Sequence, residues 1–396
     1  MAKILYLSPY FWPEEIGSSP YSIDLAVWLK QHGNDVQVVA FRPHYPSPDL
    51  FLPWADGTRD QEQYEGVAIT RVAVRERGAG GALARLRNDL SYLWSVLRWA
   101  LTGKFSGTDT VFVYVPSVLG VYGARVVKWI TKARVIAVVH DIESGLAAAV
   151  GLVNNRTIIR GMQLFERIGL NGADHVVVLT EGMKTALRAI GCKKPIDVIS
   201  IWAELVPYVR PDRNKPFQIL YSGNFGKKQG FFQLLPALQR ISDENLPVTV
   251  VLRGGGSEKQ ALMDAITRRG IRNVVFDALV PKEKFIAALQ AAHVHLVPQA
   301  QGGANYAIPS KLFSIMSAGR PFVCIAEKDS PLDCLARESG AGLCVRPSEN
   351  GEELYQTLAT LMNNPEELAR MCDAGRQYVQ KHMNRADILQ RFTSLI

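Results

Sequence analysis

Leu220–Gly230 reads LYSGNFGKKQG. An apolar run ends at Ser222, a loop carrying Gly223, Gly226 and Gly230 follows, and helical spacing begins at Phe231 and runs to Ile241. Glycines let the backbone approach a ligand closely, and the unpaired N–H groups and positive dipole end of a helix amino terminus suit an anion. Lys227 and Lys228 add two full charges. The stretch therefore predicts a strand–loop–helix corner in which Gly223, Asn224, Lys227 and Lys228 cradle a diphosphate. It also fits an ordinary corner with solvated lysines. It matches neither the GxxxxGK[ST] phosphate loop nor the GxGxxG dinucleotide fingerprint.

Just upstream, Val206–Pro216 (VPYVRPDRNKP) packs three prolines and four charges into eleven residues, the composition of an interdomain linker. Downstream, strand patterns recur at Gln218–Ser222, Val248–Leu252, Asn273–Phe276, His293–Val297, Pro321–Ile325 and Gly342–Val345, with helical patterns between them. Upstream of the linker the same alternation is present. Strands are expected at Lys3–Ser8, Asp35–Phe41, Val67–Val72, Thr110–Val115, Arg134–Val139 and His175–Leu179, and a helix at Tyr21–His32. Alternation of this kind predicts parallel, doubly wound sheets. The fold class is α/β, with two Rossmann-like domains at 1–206 and 216–380 and a terminal helical segment, 381–396, packing back on the first. At 396 residues the chain suits two cores rather than one.

In such sheets ligands bind outside the carboxyl ends of the strands, so those corners hold the remaining candidates. Leu252–Ser257 (LRGGGS) places Arg253 and Gly254 at a strand end, where three consecutive glycines imply close approach of another group. In Gln299–Met316 (QAQGGANYAIPSKLFSIM), Pro309 and Ser310 start a helix with Lys311 in its first turn. The helix dipole disfavours a lysine there, so a bound anion accounts for it better than a solvated side chain. In the first half, His140, Asp141 and Glu143 follow the strand that ends at Val139, and they suit orienting a hydroxyl or taking its proton. A capping aspartate and a hydrogen-bonded core histidine fit the same residues. His44, in the proline-rich FRPHYPS, is read as a substrate-side loop residue, whereas His175, His293 and His295 are read as core. No HExxH, paired-cysteine or GxSxG signature is present.

The net charge of +8 calls for an anionic partner. The five cysteines form no CxxC pair and read as reduced thiols of a cytoplasmic protein. The amino terminus reads as a strand rather than a secretion signal, and no apolar run reaches the length of a membrane span. Ala82–Leu101 carries Leu83, Leu86, Leu90, Leu93, Trp94, Leu97 and Leu101 on one helical stripe flanked by Arg87 and Arg98. Six basic residues face two acids between Arg75 and Lys104. The stripe fits either a helix packed on the core or an interfacial helix on an anionic membrane surface.

Taken together, SGNFGKKQG, His140-Asp141 at a strand end, the LTEGMK helix start (Leu179–Lys184) and IPSKLFSIMSAGRPFV (Ile308–Val323) resemble family 4 glycosyltransferases of the GT-B fold. The likeness is greatest to bacterial capsule and colanic-acid-type enzymes, including the fucosyltransferase-like group, and it extends to SPYFWPEEIGSSPYS and FRPHYPS near the start. The resemblance implies two facing domains with a cleft between them. It implies a nucleotide-sugar held mainly by the second domain, an acceptor held by the first, no metal, no cofactor, and retention of anomeric configuration. On that likeness Lys228 matches the diphosphate lysine, Gly17 the glycine of the first βα loop and His140 the histidine beside the transferred sugar. Ser310 and Lys311 match the PSK turn near the nucleotide. Ser18 and Glu143 join His44 and Gly17 on the acceptor side. Two features depart from the pattern. Asn224 replaces the arginine that usually partners the lysine, which leaves Arg253 or Lys227 to supply the second charge. Tyr306 and Ser314 stand where a pair of glutamates is usual.

The expectation is a retaining hexosyltransferase using a UDP- or GDP-sugar, with His140, Asp141 and Lys228 catalytic. Its acceptor would be a saccharide, carried on polyprenyl diphosphate at the inner face of the cell membrane, and nucleic acid is not a partner. A sugar-nucleotide epimerase of the same fold, or a non-catalytic nucleotide-sugar or membrane-binding scaffold, would share these features.

Overall fold

A computed structural model describes every residue except 15–16, 46, 76–81, 116, 150, 152, 154, 212–214 and 302–307. Tyr306 lies outside the described residues. The chain divides into two compact units. One comprises Met1–Ser144, Asn155–Ile201 and Ala386–Ile396, and the other Gly145–Asn154 and Trp202–Arg385.

Along the first half run β1 (Lys3–Leu7), α1 (Ser19–Gln31), β2 (Asp35–Phe41), β3 (Gln61–Tyr64), β4 (Val67–Val72), α2 (Ala82–Leu101), β5 (Thr110–Val115), α3 (Leu119–Thr131) and β6 (Arg134–Val139). Then come α4 (Glu143–Ala149), α5 (Arg156–Leu170), β7 (His175–Val178), α6 (Glu181–Ala189) and β8 (Ile196–Val198). The eight strands order as β3-β4-β2-β1-β5-β6-β7-β8. Every residue of β5 is buried, as expected of a strand covered by helices on both faces. The sheet is not wholly parallel. β3 pairs antiparallel with β4 across a two-residue turn in which Glu65 and Gly66 both have positive φ (48° and 77°), the type I′ geometry. Its sequence, QEQY, is half exposed and polar, so it carries no apolar run by which to be recognised.

The second half holds β9 (Phe217–Ser222), α7 (Leu235–Asp243), β10 (Val248–Arg253), α8 (Lys259–Arg268), β11 (Val274–Asp277), α9 (Lys282–Gln290) and β12 (Val294–Pro298). It continues with α10 (Lys311–Ser317), β13 (Phe322–Ile325), α11 (Pro331–Ser339), β14 (Gly342–Val345), α12 (Glu352–Met362), α13 (Pro365–His382) and α14 (Arg385–Thr393). Its six strands order as β11-β10-β9-β12-β13-β14, and every pair is parallel. The core of this unit is built from Ile219, Tyr221, Leu252, Leu296 and Val323 on the strands and Leu238, Ile241 and Leu358 on the helices.

Two local expectations change. No α-helix starts at Phe231: short 3-10 turns cover Lys227–Gln229 and Phe231–Leu234, and α7 begins only at Leu235. Pro236 explains the late start, because proline is tolerated in a first helical turn but not in an interior. The linker, too, is less free than its composition implies. The carbonyls of Val206, Pro207 and Val209 accept hydrogen bonds from Arg376 (2.8 Å), Gln290 (2.7 Å) and Arg320 (2.8 Å) of the same unit. Residues 212–214 lie outside the described residues.

Candidate active site

In each sheet the strand order reverses at one point, and a crevice at the carboxyl ends there is where an open α/β sheet binds its ligand. In the second sheet the reversal lies between β9 and β12. The loops leaving those two strands are bonded together: Ala300 N–H donates to the Lys228 carbonyl (2.9 Å), and Gln233 Nε2 donates to the Gln299 carbonyl (3.0 Å).

The loop after β10 closes on the same corner. Gly223 N–H donates to the Arg253 carbonyl (3.0 Å), Phe225 N–H to Gly255 (2.8 Å) and Glu258 N–H to Phe225 (2.9 Å). A Cβ at Gly254 would lie 1.8 Å from the Gly223 oxygen, and one at Gly256 would lie 2.5 Å from the Phe225 oxygen. Both residues also have φ near +140°, so packing of the neighbouring loop requires glycine at 254 and 256, whereas Gly255 has open space around it. Lys259, which sequence reasoning missed, fastens the turn through Nζ to the Gly254 carbonyl (2.8 Å).

This zipper consumes backbone donors. The N–H groups of Gly223, Phe225, Gly226, Gln229 and Gly230 all have partners inside the corner. With α7 starting only at Leu235, no α-helix amino end follows Gly230 directly. Positive charge at the corner therefore comes from side chains. Asn224, Lys227 and Lys228 are exposed. Arg253 is turned aside, gripping Asp277 Oδ2 through Nε (3.1 Å) and Nη2 (3.0 Å).

Lys311 is the opposite case. Its Nζ is shut off from solvent, has no hydrogen-bond partner among the described residues, and lies 3.7 Å from the centre of the Tyr221 ring. The position of a Cβ on Gly223 is 3.2 Å from that nitrogen. Burial, reinforced by the charge of Lys228, pushes the Lys311 ammonium down to about 7. The residue is half-buried with its ammonium turned inward, so the solvated alternative does not describe it. Ser310, half-buried, accepts the Phe313 N–H (3.2 Å) as α10 begins. Ser314 lies on α10.

In the first sheet the order reverses between β1 and β5. Gly17, in the loop after β1, has φ +65° and open space around it. Ser18 precedes α1 without a side-chain cap, its carbonyl accepting the Ser22 N–H (3.2 Å). His140 follows β6 and lies against Tyr114 (centroids 4.6 Å) and Tyr21 (6.4 Å). Burial among these rings lowers its pKa to about 4, so the imidazole is neutral and offers one donor and one acceptor.

Asp141 and Glu143 line a small recess with Val115, Val139 and Glu166. Glu143 is the first residue of α4 rather than a loop residue. Its carboxylate meets Arg85 Nη2 at 2.7 Å, while burial raises its pKa to about 7. Arg85, on α2, was not among the residues expected here, and neither was Glu166, which accepts from Ser144 N–H (3.0 Å) and from its hydroxyl.

His44 is buried, stacks on Tyr10 (5.8 Å), and its N–H and that of Tyr45 both donate to Glu14 Oε1 (2.8 Å each). The organiser of this loop is Glu14, and thirty residues of separation left no local signal for it. Among the described residues no three His, Cys, Asp or Glu side chains come together in the way a metal ion needs.

α2 has a packed face and an exposed one. Its inward face is Ala84, Asn88, Tyr92, Val96 and Ala100. The leucine stripe points the other way: Leu86 and Leu90 are 48% exposed, Trp94 66% and Leu101 70%. Leu93 and Leu97 are half-buried, and the Leu83 side chain lies outside the described residues. α5 likewise exposes Ile158, Leu164, Phe165 and Ile168. No described helix is long and apolar enough to cross a membrane.

Comparison with known proteins bears on this geometry. A family model described as "Glycosyl transferase 4-like domain" matches residues 17–202, and one described as "Glycosyl transferases group 1" matches residues 209–378. The chain is 27% identical to the putative colanic acid biosynthesis glycosyl transferase WcaI of Escherichia coli (strain K12), covering 98% of each. It is 23% identical to the probable glycosyltransferase WbjE of Pseudomonas aeruginosa, covering 88% of this chain and 87% of that one. Among solved structures, sucrose-phosphate synthase from Thermosynechococcus elongatus superposes with a TM-score of 0.79 at 15% identity, covering 100% of this chain and 98% of that one. Anabaena HepE in complex with UDP-glucose superposes with a TM-score of 0.73 at 16% identity, covering 100% and 99%.

Proposed function

The chain belongs to the family 4, group 1 glycosyltransferases of GT-B fold, enzymes that use nucleotide-sugars, and we propose that it moves a sugar from a UDP- or GDP-linked donor, with retention of configuration and without a metal, to a saccharide acceptor in bacterial polysaccharide synthesis. The observation that carries the donor half of this reading is the corner at the β9/β12 reversal, where the charge of Lys228 acts on a Lys311 ammonium that has no hydrogen-bond partner among the described residues. Residues 216–380 are assigned the donor and 1–206 the acceptor, and of the terminal segment 381–396 only Ala386–Ile396 belongs to the first compact unit.

In this reading Lys228 stabilises the charge that develops on the departing nucleoside diphosphate, and Gly223, Asn224, Lys227, Gly254, Ser310 and Lys311 shape the rest of its site. His140, held neutral, donates to or accepts from a sugar hydroxyl, and Asp141 orients the attacking hydroxyl of the acceptor. Gly17, Ser18 and Glu143 bound the acceptor side. His44 acts only by fixing its loop, and Arg253 only by bracing the strand end through Asp277.

The test is release of UDP or GDP from a panel of nucleotide-sugars, with and without a polyprenyl-diphosphate saccharide, in EDTA. The expected result is release with one nucleotide series that depends on the acceptor. Isomerisation or hydrolysis of the donor without an acceptor would replace transfer by epimerase chemistry. Absence of any turnover alongside a ligand-induced thermal shift would make the protein a nucleotide-sugar-binding scaffold.

The lipid-linked acceptor rests on α2. An exposed row of Leu86, Leu90, Trp94 and Leu101 beside Arg87, Arg98 and Lys104 matches an anionic leaflet, with apolar side chains for the acyl boundary and cations for the headgroups. Such a surface supports a peripheral position on the inner face of the cell membrane. In flotation with vesicles, binding is expected with anionic lipid and not with phosphatidylcholine alone. Leu90→Glu with Trp94→Glu should abolish it while nucleotide binding stays intact. Equal binding to both lipids, or an unaffected double variant, would remove the membrane from the reading.

A further inference from the structure

The donor reading above leaves one charge unassigned. A diphosphate needs more than one cation, and Asn224 stands where a second would be expected. Of the cations near the corner, Arg253 is already paired with Asp277, whereas Lys311 has its ammonium inside the corner with no hydrogen-bond partner among the described residues. Building on that reading, we infer that Lys311 is the second diphosphate cation, and that it takes up a proton from solution when the nucleoside diphosphate binds.

The geometry is that of a site awaiting an anion. A buried ammonium without a hydrogen-bond partner is costly, and folded proteins rarely leave one so. Here Nζ rests on the face of Tyr221, a contact that holds a cation without satisfying its N–H groups. Tyr221 is itself fixed, its hydroxyl donating to the Asn224 carbonyl at 2.6 Å. Beside Nζ lies Gly223, where a Cβ would come within 3.2 Å of the nitrogen and crowd it.

The groups that face Lys311 are all cationic or neutral. Lys228, on the loop after β9, repels its charge. Tyr221, on β9, is held un-ionised by burial. His295, on β12, is held neutral by burial, with the charges of Arg320, Lys311 and Arg253 acting the same way. Among the described residues no carboxylate offsets them, so a free site holds Lys311 near half-protonated at neutral pH. An arriving diphosphate supplies the negative charge that restores the ammonium, and one proton passes from the buffer to Nζ.

The sign follows from linkage. Above pH 7 the free site is mostly deprotonated and the bound site is protonated, so binding takes up protons and weakens as pH rises. At pH 8 free UDP and GDP have already lost their last phosphate proton, whose pKa is about 6, and contribute none.

The experiment is calorimetric titration of the full chain with UDP and with GDP at pH 8, in buffers of different ionisation enthalpy. The expected result is uptake approaching one proton, with Kd rising towards tenfold per pH unit above pH 8. Lys311→Met should abolish the uptake and weaken binding about tenfold to a hundredfold, the range for a lost charged hydrogen bond. Lys311→Arg, which stays charged, should bind without uptake. Because methionine removes an unpaired buried charge, the melting temperature of Lys311→Met should not fall, which separates lost contact from lost fold. Binding by wild type with no proton uptake, or equal affinity in Lys311→Met, overturns the inference and leaves the donor reading standing. Binding of neither UDP nor GDP to wild type overturns both.

Discussion

Lys228→Ala is expected to lower turnover by about a hundredfold to a thousandfold, the cost of removing one preorganised donor from a developing negative charge. The loss should fall on kcat more than on KM, because the charge on the diphosphate grows as the bond to the sugar breaks. The fold should be unaffected. Lys228 is exposed, and its structural contribution is the carbonyl that accepts the Ala300 N–H, which alanine retains. Surface replacements of this kind change stability by about half a kcal/mol at most. Removing Lys228 also removes the cation that repels Lys311, so the proton uptake on nucleotide binding should persist with its midpoint at higher pH. Steady-state kinetics with a saturating acceptor would decide the matter: a kcat within threefold of wild type takes Lys228 out of the chemistry.

Arg320→Met should give the largest loss of stability of any single change considered, about 3 kcal/mol. The residue belongs to SAGRP, a stretch that carries part of the family resemblance, and in the structure it is fully buried and serves the fold. Its guanidinium donates only to backbone carbonyls: Ala292 (2.8 Å), Gln290 (3.1 Å), Gly319 (2.9 Å) and Val209 (2.8 Å). Methionine fills much of the volume but leaves those acceptors unpaired in a dry environment. Each costs about 1–3 kcal/mol, offset in part because the charge no longer has to be desolvated. For a unit of this size the melting temperature should fall by about 6–12 °C. Lysine, with one point charge and no planar fork, should restore little. A loss of activity without a fall in melting temperature would contradict this assignment and move Arg320 towards the site.

Read from sequence, Arg320 and Lys228 look alike: each is a basic residue in a motif of the same family. Burial separates them, and burial is a property of the packed chain. The same holds for α2. Its leucine stripe is visible in the sequence, but a stripe turned to the core and one turned to solvent have the same spacing. Only the packing of Ala84, Tyr92, Val96 and Ala100 under the helix shows which way it faces.

The sequence by itself determined the two Rossmann-like halves. Strand and helix periodicities are local, set by the pleat and by 3.6 residues per turn, and β2, β4, β5, β6 and β14 begin and end where the pattern says they should. It also determined the corners at which the site would lie, because connectivity puts loops at strand ends. What only the tertiary structure decided was which side chains at those corners remain available. Arg253 was claimed by Asp277 and His44 by a packed loop held by Glu14, while Lys311 was buried on Tyr221. The backbone N–H groups of Gly223 and Phe225 went to Arg253 and Gly255 at the end of the neighbouring strand. These outcomes depend on contacts between residues tens of positions apart, and no spacing rule reaches that far. The physical reason is that charge and hydrogen-bonding capacity are allocated only when the chain packs, since each donor, acceptor and cation goes to whatever partner the fold brings within about 3 Å.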